Sequence, residues 1–487
     1  MPSPIQFVHV NVRTPCTQAT ATTRRQAEGG STNFSQQLAG VLLLAVASIP
    51  ALCAAPAETQ ETQPATAPAT IPATAPATAP AIEAPALTLL PPPDPAESEP
   101  PETPGFVPHT EADIDLTLRE ARFEQADILP YSTVSLVYPF WKKAADNLRQ
   151  RVGLDLGLEQ DLVYQGASRG PGVRDAGGGS VALFGRWRLV GTPDGLNNGN
   201  LLFKADYDWQ IGSTTPSELG QNIGSLWRTS SGFGETRPCV SQFAWEQHLF
   251  DKALLVTVGK IDPTAFYAVN IWQNDKQFFM NEAFSGIPAV GVPGNGLGIN
   301  AWWTPAPWLY LTAGCQNQQG SNTSAGFNTF GDFDLFSAAE IGITPDIPSL
   351  GHGDYRLTCW HADAVPTRSS PSDEGFALSF DQAVTRHVIP FFRYEYAHGP
   401  VTDIRQLATG GIGWQGPLLS RLDVCGLALA WGQPWQNDRD QWTAETFYRV
   451  QLSPANQLSI GYQAILHPSL SSEDAVGIFW VRFRILF

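Results

Sequence analysis

Residues 475–487 read AVGIFWVRFRILF, and this stretch decides the fold. Counting back, Phe487, Ile485, Phe483, Val481, Phe479, Gly477 and Ala475 fall on one face. Leu486, Arg484, Arg482, Trp480 and Ile478 fall on the other. Alternation with a period of two is the signature of a strand. Soluble domains usually leave their last residues polar and frayed, whereas here the apolar face continues through Phe487. Such a strand must be paired and bathed in something apolar. A buried sheet and a lipid-facing barrel both satisfy that requirement.

The same period recurs upstream, from about residue 152 onward. Val152, Leu154, Leu156 and Leu158 oppose Gly153, Asp155, Gly157 and Glu159. Phe203, Ala205, Tyr207, Trp209 and Ile211 oppose Lys204, Asp206, Asp208 and Gln210. Phe392, Tyr394 and Tyr396 oppose Arg393 and Glu395, and Thr446, Tyr448, Val450 and Leu452 oppose Glu445, Phe447, Arg449 and Gln451. Leu458, Ile460, Tyr462 and Ala464 oppose Ser459, Gly461, Gln463 and Ile465. The polar faces lack the Lys- and Thr-heavy character of a soluble sheet's outer face, and Tyr and Trp gather near strand ends. Apolar-out, polar-in alternation over many strands describes a transmembrane antiparallel β-barrel, because lipid tolerates a sheet only when it is closed. The segment 152–487 then has room for about 16 strands, or 18, at roughly ten residues each plus turns and loops. On this reading Phe487 faces lipid at the barrel seam.

Composition agrees. Charged residues make up 15% of the 487-residue chain, below the roughly 25% of soluble domains, while Gly (44), Phe (26) and Trp (15) are plentiful. The net charge of −17 argues against nucleic acid as a partner. Near the N-terminus, Arg24 and Arg25 precede an apolar run from Leu38, and Ala55-Pro56-Ala57 offers an A-x-A cleavage site. That pattern predicts a secretory signal peptide over 1–57 with a long leading region. Cys53 stands where a lipoprotein cysteine would, although Leu52 before it is larger than that chemistry prefers. Residues 58–105, rich in Pro, Ala and Thr, cannot bury a core and predict a disordered linker. Residues 106–151 form an N-terminal periplasmic or plug segment with a short helix around PFWKKAADNLRQR, whose apolar side is Phe140, Trp141, Ala144, Ala145 and Leu148.

No G-x-S-x-G elbow, H-E-x-x-H pair or Walker loop is present. Asp332 and Asp334 are too sparse for a calcium loop, and the six cysteines show no metal or CxxC spacing. Neither an enzyme, a cofactor nor a metal site is expected. The Gly-rich GNGLGIN around Gly294, Gly296 and Gly298 reads as a flexible turn.

The stretch Gly259, Lys260, Asp262, Phe266, Asn270, Gln277, Phe278 and Asn281, followed by Ala283 and Phe284, resembles the central signature of the carbohydrate-selective porins of the OprB family. Glu445, Tyr448, Arg449, Gln463 and Pro468 resemble that family's closing hairpin. The resemblance spans roughly residues 140–487. It implies an outer-membrane porin for passive diffusion of small hydrophilic solutes, most of all sugars. A homotrimer, contact with outer-membrane lipid, and cell-wall contact through the Pro-rich linker are the partners it leaves open. By alternation the pore-lining, substrate-binding candidates are Arg186, Arg188, Lys204, Asp206, Asp208, Glu246, Lys260, Asp262, Arg393, Glu395, Glu445 and Arg449, with Arg482 and Arg484 beside them. Acids and bases intermingled on a lumen wall offer donors and acceptors to sugar hydroxyls, though any one of them could be merely a solvated wall residue. Trp302, Trp303 and Trp308 could stack on a pyranose or sit in a lipid-interface girdle. Rival readings are a general porin, a barrel enzyme and a structural tether.

Overall fold

The computed structural model describes residues 133–487, except 193–195, 325, 367–369, 417, 420–421 and 437–438, together with Ile114, Thr117, Leu118, Glu120 and Ile128. The expected signal peptide, the Pro-rich linker and Cys53 lie outside the described residues. A 20-residue helix, α1 (Thr133–Val152), leads into the first strand. Gly153, at φ 72°, ends it by donating its N–H to the carbonyl of Arg149 at 3.1 Å, the left-handed stop that glycine adopts without strain.

The strands are β1 (Leu154–Ala167), β2 (Asp175–Val190), β3 (Gly199–Ile211), β4 (Thr236–Leu249), β5 (Leu254–Ile261), β6 (Gly296–Ala306), β7 (Leu309–Asn317), β8 (Leu335–Ile343), β9 (Asp346–Ile347), β10 (Gly351–Ala362), β11 (Asp373–Gln382), β12 (Val388–Ala397), β13 (Ile404–Gln415), β14 (Val424–Pro434), β15 (Gln441–Ser453), β16 (Asn456–Leu466) and β17 (Ala475–Leu486). Each pairs antiparallel with its neighbour, and β17 closes on β1 with Asp161 opposite Arg484. The two-residue β9 only extends one end of β10, which pairs directly with β8. Removing β9 from the 17-stranded sheet leaves a closed wall of sixteen strands, the smaller of the two expected numbers.

The wall is built inside out relative to a soluble protein. Leu183, Val240, Phe243, Val258, Ile299, Ile341, Ile412, Leu427 and Ile460 are exposed on the outside. Asp161, Asn200, Thr257, Asn300, Thr358, Arg393, Gln463 and Arg482 are buried on the inside. An exposed aliphatic belt around a closed sheet is stable only in hydrocarbon, so the barrel is transmembrane. One end carries the long loops 212–235, 262–295 and 318–334, and the other the short turns 250–253, 307–308 and 454–455. Trp303 and Trp308 are half exposed near the short-turn end, where Trp187 also faces out, and Tyr207, Trp442 and Tyr462 are exposed toward the long-loop end. Aromatic bands at both interfaces are what such a barrel carries.

Three local expectations change. Phe487 does reach the seam, exchanging backbone hydrogen bonds with Leu158 at 2.9 and 3.0 Å. Its ring, however, lies under Tyr138 and Trp141 of α1, at 6.4 and 5.9 Å between centroids, and is covered by protein as well as lipid. The expected apolar side of α1 is divided: Trp141 is half-buried while Phe140 is 77% exposed. Gly296 and Gly298 lie in β6 and not in a turn.

Candidate functional site: the lumen and its inward loop

The connection 262–295 between β5 and β6 folds into the barrel. Asp262 starts it by capping a turn of 3-10 helix (Pro263–Ala265), accepting from the Thr264 amide at 3.0 Å and its hydroxyl at 2.7 Å. The loop then buries Tyr267, Trp272, Phe279 and Phe284 against the inner wall. Phe279 meets Phe447 edge-on at 4.8 Å and lies 5.8 Å from Phe391. Trp272 fits because Gly413 has no side chain, since a Cβ there would come within 2.0 Å of the indole.

Polar wall residues hold the loop by its backbone. Glu340 accepts from the Ala268 amide at 2.7 Å, Asp381 from Ile271 at 3.3 Å and Glu395 from Ala289 at 2.9 Å. Glu445 takes both Met280 and Asn281, each at 2.9 Å. Arginines take the opposite role. Arg393 donates to the carbonyls of Ala283 (2.9 Å) and Gly286 (2.5 Å), and Arg482 donates to those of Asp275 and Phe278. The short helix α2 (Pro216–Ile223) lies in the neighbouring loop 212–235, and a single helical turn, α3 (Glu282–Ser285), lies within the inward loop.

The tip of the loop crosses to the seam. Lys276 Nζ stands 3.1 Å from Glu159, 3.7 Å from Asp161 and 3.3 Å from the Ser180 hydroxyl. Burial disfavours this ammonium, but the carboxylates of Glu159 and Asp161 outweigh it and hold its pKa well above the ordinary lysine range. Asp275 beside it is displaced upward, chiefly by burial, although it accepts from the Gly232 amide at 2.6 Å. Arg484 completes the seam network, 2.6 Å from Glu159.

A cavity of about 830 Å³ remains beside the loop, bounded by Phe184, Glu159 and Lys204 on the wall, Asp262, Asn274 and Lys276 on the loop, and Arg228 from 212–235. Ile114 and Thr117 of the N-terminal segment also border it. Ile114 and Leu118 pack on Ala182, Phe184 and Leu202, and Glu120 bonds Arg484, Gln457 and Gln277. These residues of the expected plug segment therefore stand inside the barrel. A second cavity of about 560 Å³, with Arg186, Arg188, His248, Lys252 and Trp302 on its walls, opens at the short-turn end.

All twelve candidate residues read from alternation belong to this interior, but they divide among four settings. Lys204 and Asp262 border the central cavity. Arg186 and Arg188 border the short-turn cavity, and Glu246 pairs there with Arg186 at 2.5 Å and His248 at 2.7 Å. Arg393, Glu395 and Glu445 lie beneath the loop, while Arg449 places its guanidinium 5.3 Å over the Phe278 ring. Asp206 accepts from the Ser241 hydroxyl, Lys260 donates to the carbonyls of Val240 and Asn322 at 2.8 and 2.7 Å, and Asp208 is half-buried on the same wall. Of the three tryptophans, Trp302 points inward and stacks on Tyr310 at 4.1 Å, whereas Trp303 and Trp308 face out. Lys276, Asp275 and Arg228 were not among the candidates. They sit in loops, where period-two reading has no purchase, and only the signature stretch around Gln277 and Phe278 pointed to Lys276.

No protein-family model and no curated protein matches the sequence. Solved structures do. The high-pH structure of Pseudomonas putida OprB superposes with a TM-score of 0.60 at 16% identity, covering 71% of this chain and 97% of that one. The low-pH structure of the same protein gives 0.48 at 14% identity over 75% and 100% of the two chains. A double mutant of the Rh. blastica porin gives 0.45 at 8% identity over 68% and 100%. The chain has the sixteen-stranded barrel fold of OprB.

Proposed function

We propose that this protein is an outer-membrane porin through which small hydrophilic solutes, carbohydrates above all, diffuse passively. The observation that carries the reading is the inward loop, fixed across a polar lumen so that a cavity lined by both signs of charge remains beside it. Lys204, Lys276 and Arg228 border that cavity together with Glu159 and Asp262. Such a lining offers paired donors and acceptors to a neutral polyol and gives no single ion a deep well. Transport then needs neither covalent chemistry nor an energy source, only weak binding at successive sites and release. The Pro-rich 58–105 segment would serve as a periplasmic tether with a cell-wall contact.

Liposome swelling with the refolded mature chain tests the reading. A graded series of mono-, di- and trisaccharides is compared with amino acids of similar size. Swelling that favours sugars and falls with chain length supports a sugar-preferring channel. Equal rates for sugars and amino acids leave a general porin. Absent swelling from a barrel that shows heat-shifted gel mobility would overturn the channel.

A further inference from the structure

Helix α1 carries a second apolar stripe that the barrel does not cover. Tyr138, Trp141 and Ala145 are turned toward the rim, where the first two meet Phe487. At about 100° per residue, Val137, Phe140, Ala144, Leu148 and Val152 fall on the adjoining face. Val137, Phe140, Leu148 and Val152 are 44%, 77%, 40% and 49% exposed. Exposed apolar side chains at helical spacing mark a surface that something covers.

Two further observations identify the occupant. The stripe is continuous with the lipid-facing wall: Trp187, on the outside of β2, donates its indole N–H to the Val152 carbonyl at 3.0 Å, and Leu189 and Val190 beyond it are exposed. The helix is also basic, with Lys142, Lys143, Arg149 and Arg151 against a single acid, Asp146. Arg149 spends its charge on Asp146 at 2.7 Å, while Lys143 and Arg151 are exposed beside the stripe. No described helix is long and apolar enough to cross a membrane, so α1 would lie along the interface and not through it.

We infer that α1 docks on the membrane leaflet at the short-turn end of the barrel, with Phe140 and Leu148 at the acyl boundary and Lys143 and Arg151 on anionic phospholipid headgroups. In an outer-membrane barrel the short turns face the periplasm, so the leaflet is the phospholipid one. The inference goes beyond solute passage and requires only that the barrel be in a bilayer.

The test uses the full mature chain with Cys239, Cys315, Cys359 and Cys425 replaced by Ser and a single environment-sensitive nitrobenzoxadiazole label at Phe140→Cys or Lys143→Cys. Vesicles are of phosphatidylcholine with or without phosphatidylglycerol, and heat-shifted gel mobility reports barrel insertion separately in each sample. The label at 140 is expected to shift to the blue, to be quenched by shallow lipid-borne spin labels and to resist iodide, while the label at 143 stays open to iodide. Phosphatidylglycerol should strengthen the shift, and Lys143→Gln with Arg151→Gln should weaken that strengthening by about fivefold per residue. Equal iodide access at 140 and 143, or a shift indifferent to phosphatidylglycerol, would overturn the inference. Should the cysteine replacements prevent insertion, trypsin cleavage after Lys143 in the unaltered chain decides. Slower cleavage in phosphatidylglycerol vesicles supports docking, and equal cleavage in both vesicle types overturns it.

Discussion

Arg484 donates to both carboxylate oxygens of Glu120, at 2.8 and 2.9 Å, and so the last strand holds a residue of the N-terminal segment inside the barrel. The same guanidinium binds Glu159 on the first strand at 2.6 Å and Gln457 on β16 at 3.1 Å. One side chain thus joins the seam, its neighbour and the segment that precedes the barrel.

Arg484→Met should therefore be costly. Removing one partner of a buried ion pair strands the others, at about 3–5 kcal/mol, and here Glu120 and Glu159 are both stranded. The midpoint of heat-modifiable gel mobility should fall. Glu120→Gln is the milder change, about 1–2 kcal/mol for a weakened charged hydrogen bond. It should raise single-channel conductance as the segment loosens, and unchanged conductance would count against an obstructing role for residues 114–120.

Glu445→Ala should free the inward loop. It leaves the amides of Met280 and Asn281 and the indole N–H of Trp480 without their acceptor. An orphaned buried donor costs about 1–3 kcal/mol. Trypsin should then cut after Lys276 in the folded barrel, where the parent protein is protected. Glu445→Gln, which keeps an acceptor oxygen, should show intermediate protection.

Gly413→Ala should displace Trp272. The added methyl would overlap the indole, and forced overpacking costs about 1–3 kcal/mol. The expected signs are a shifted tryptophan emission and altered conductance with the gel-shifted barrel intact. Normal loop protection in this variant would mean that the indole moves aside freely.

The Lys276 ammonium should stay charged across the ordinary pH range. Its folded pKa is raised, so the stabilisation is complete below the unfolded lysine value of about 10.4 and is lost only as pH rises through the higher folded value. Titration of this ammonium should therefore not release the loop anywhere between about pH 6 and 9. Lys276→Met removes the only tryptic site of the loop, so chymotrypsin is used instead, and it should cut this variant around Phe278 and Phe279 where the parent protein is protected. A loop that resists chymotrypsin in Lys276→Met as it does in the parent chain would show that this ammonium is not what fastens the tip.

The wall was legible in the sequence because lipid outside and water inside impose a period of two. Phe203, Tyr207, Ile460 and Tyr462 lie outside, and Lys204, Arg393, Glu445 and Arg482 inside, as their alternation requires. Alternation states which side a residue takes, and it is silent about what stands in front of it there. Arg393, Glu395 and Glu445 look like pore-lining charges by pattern, yet the loop covers them. The loop itself has no period. Its Trp272, Phe279 and Phe284 are indistinguishable by composition from residues of an aromatic girdle. For α1 the apolar positions were readable, but their division between the rim and an open stripe follows from where Phe487 meets Tyr138 and Trp141.

The grip of Glu340, Asp381, Glu395 and Glu445 has a consequence for how such a channel can diversify. A carboxylate that receives a main-chain N–H is indifferent to the side chain that follows from the same residue. Ala268, Ile271, Met280 and Ala289 are held through atoms that every non-proline residue possesses. Substitution along the loop can thus alter the cavity lining at Gln273 or Asn274 while the carboxylates still hold its backbone. Position and selectivity become heritable separately, and a library confined to Gln273, Asn274 and Gln277 should yield many folded barrels that differ in what they admit.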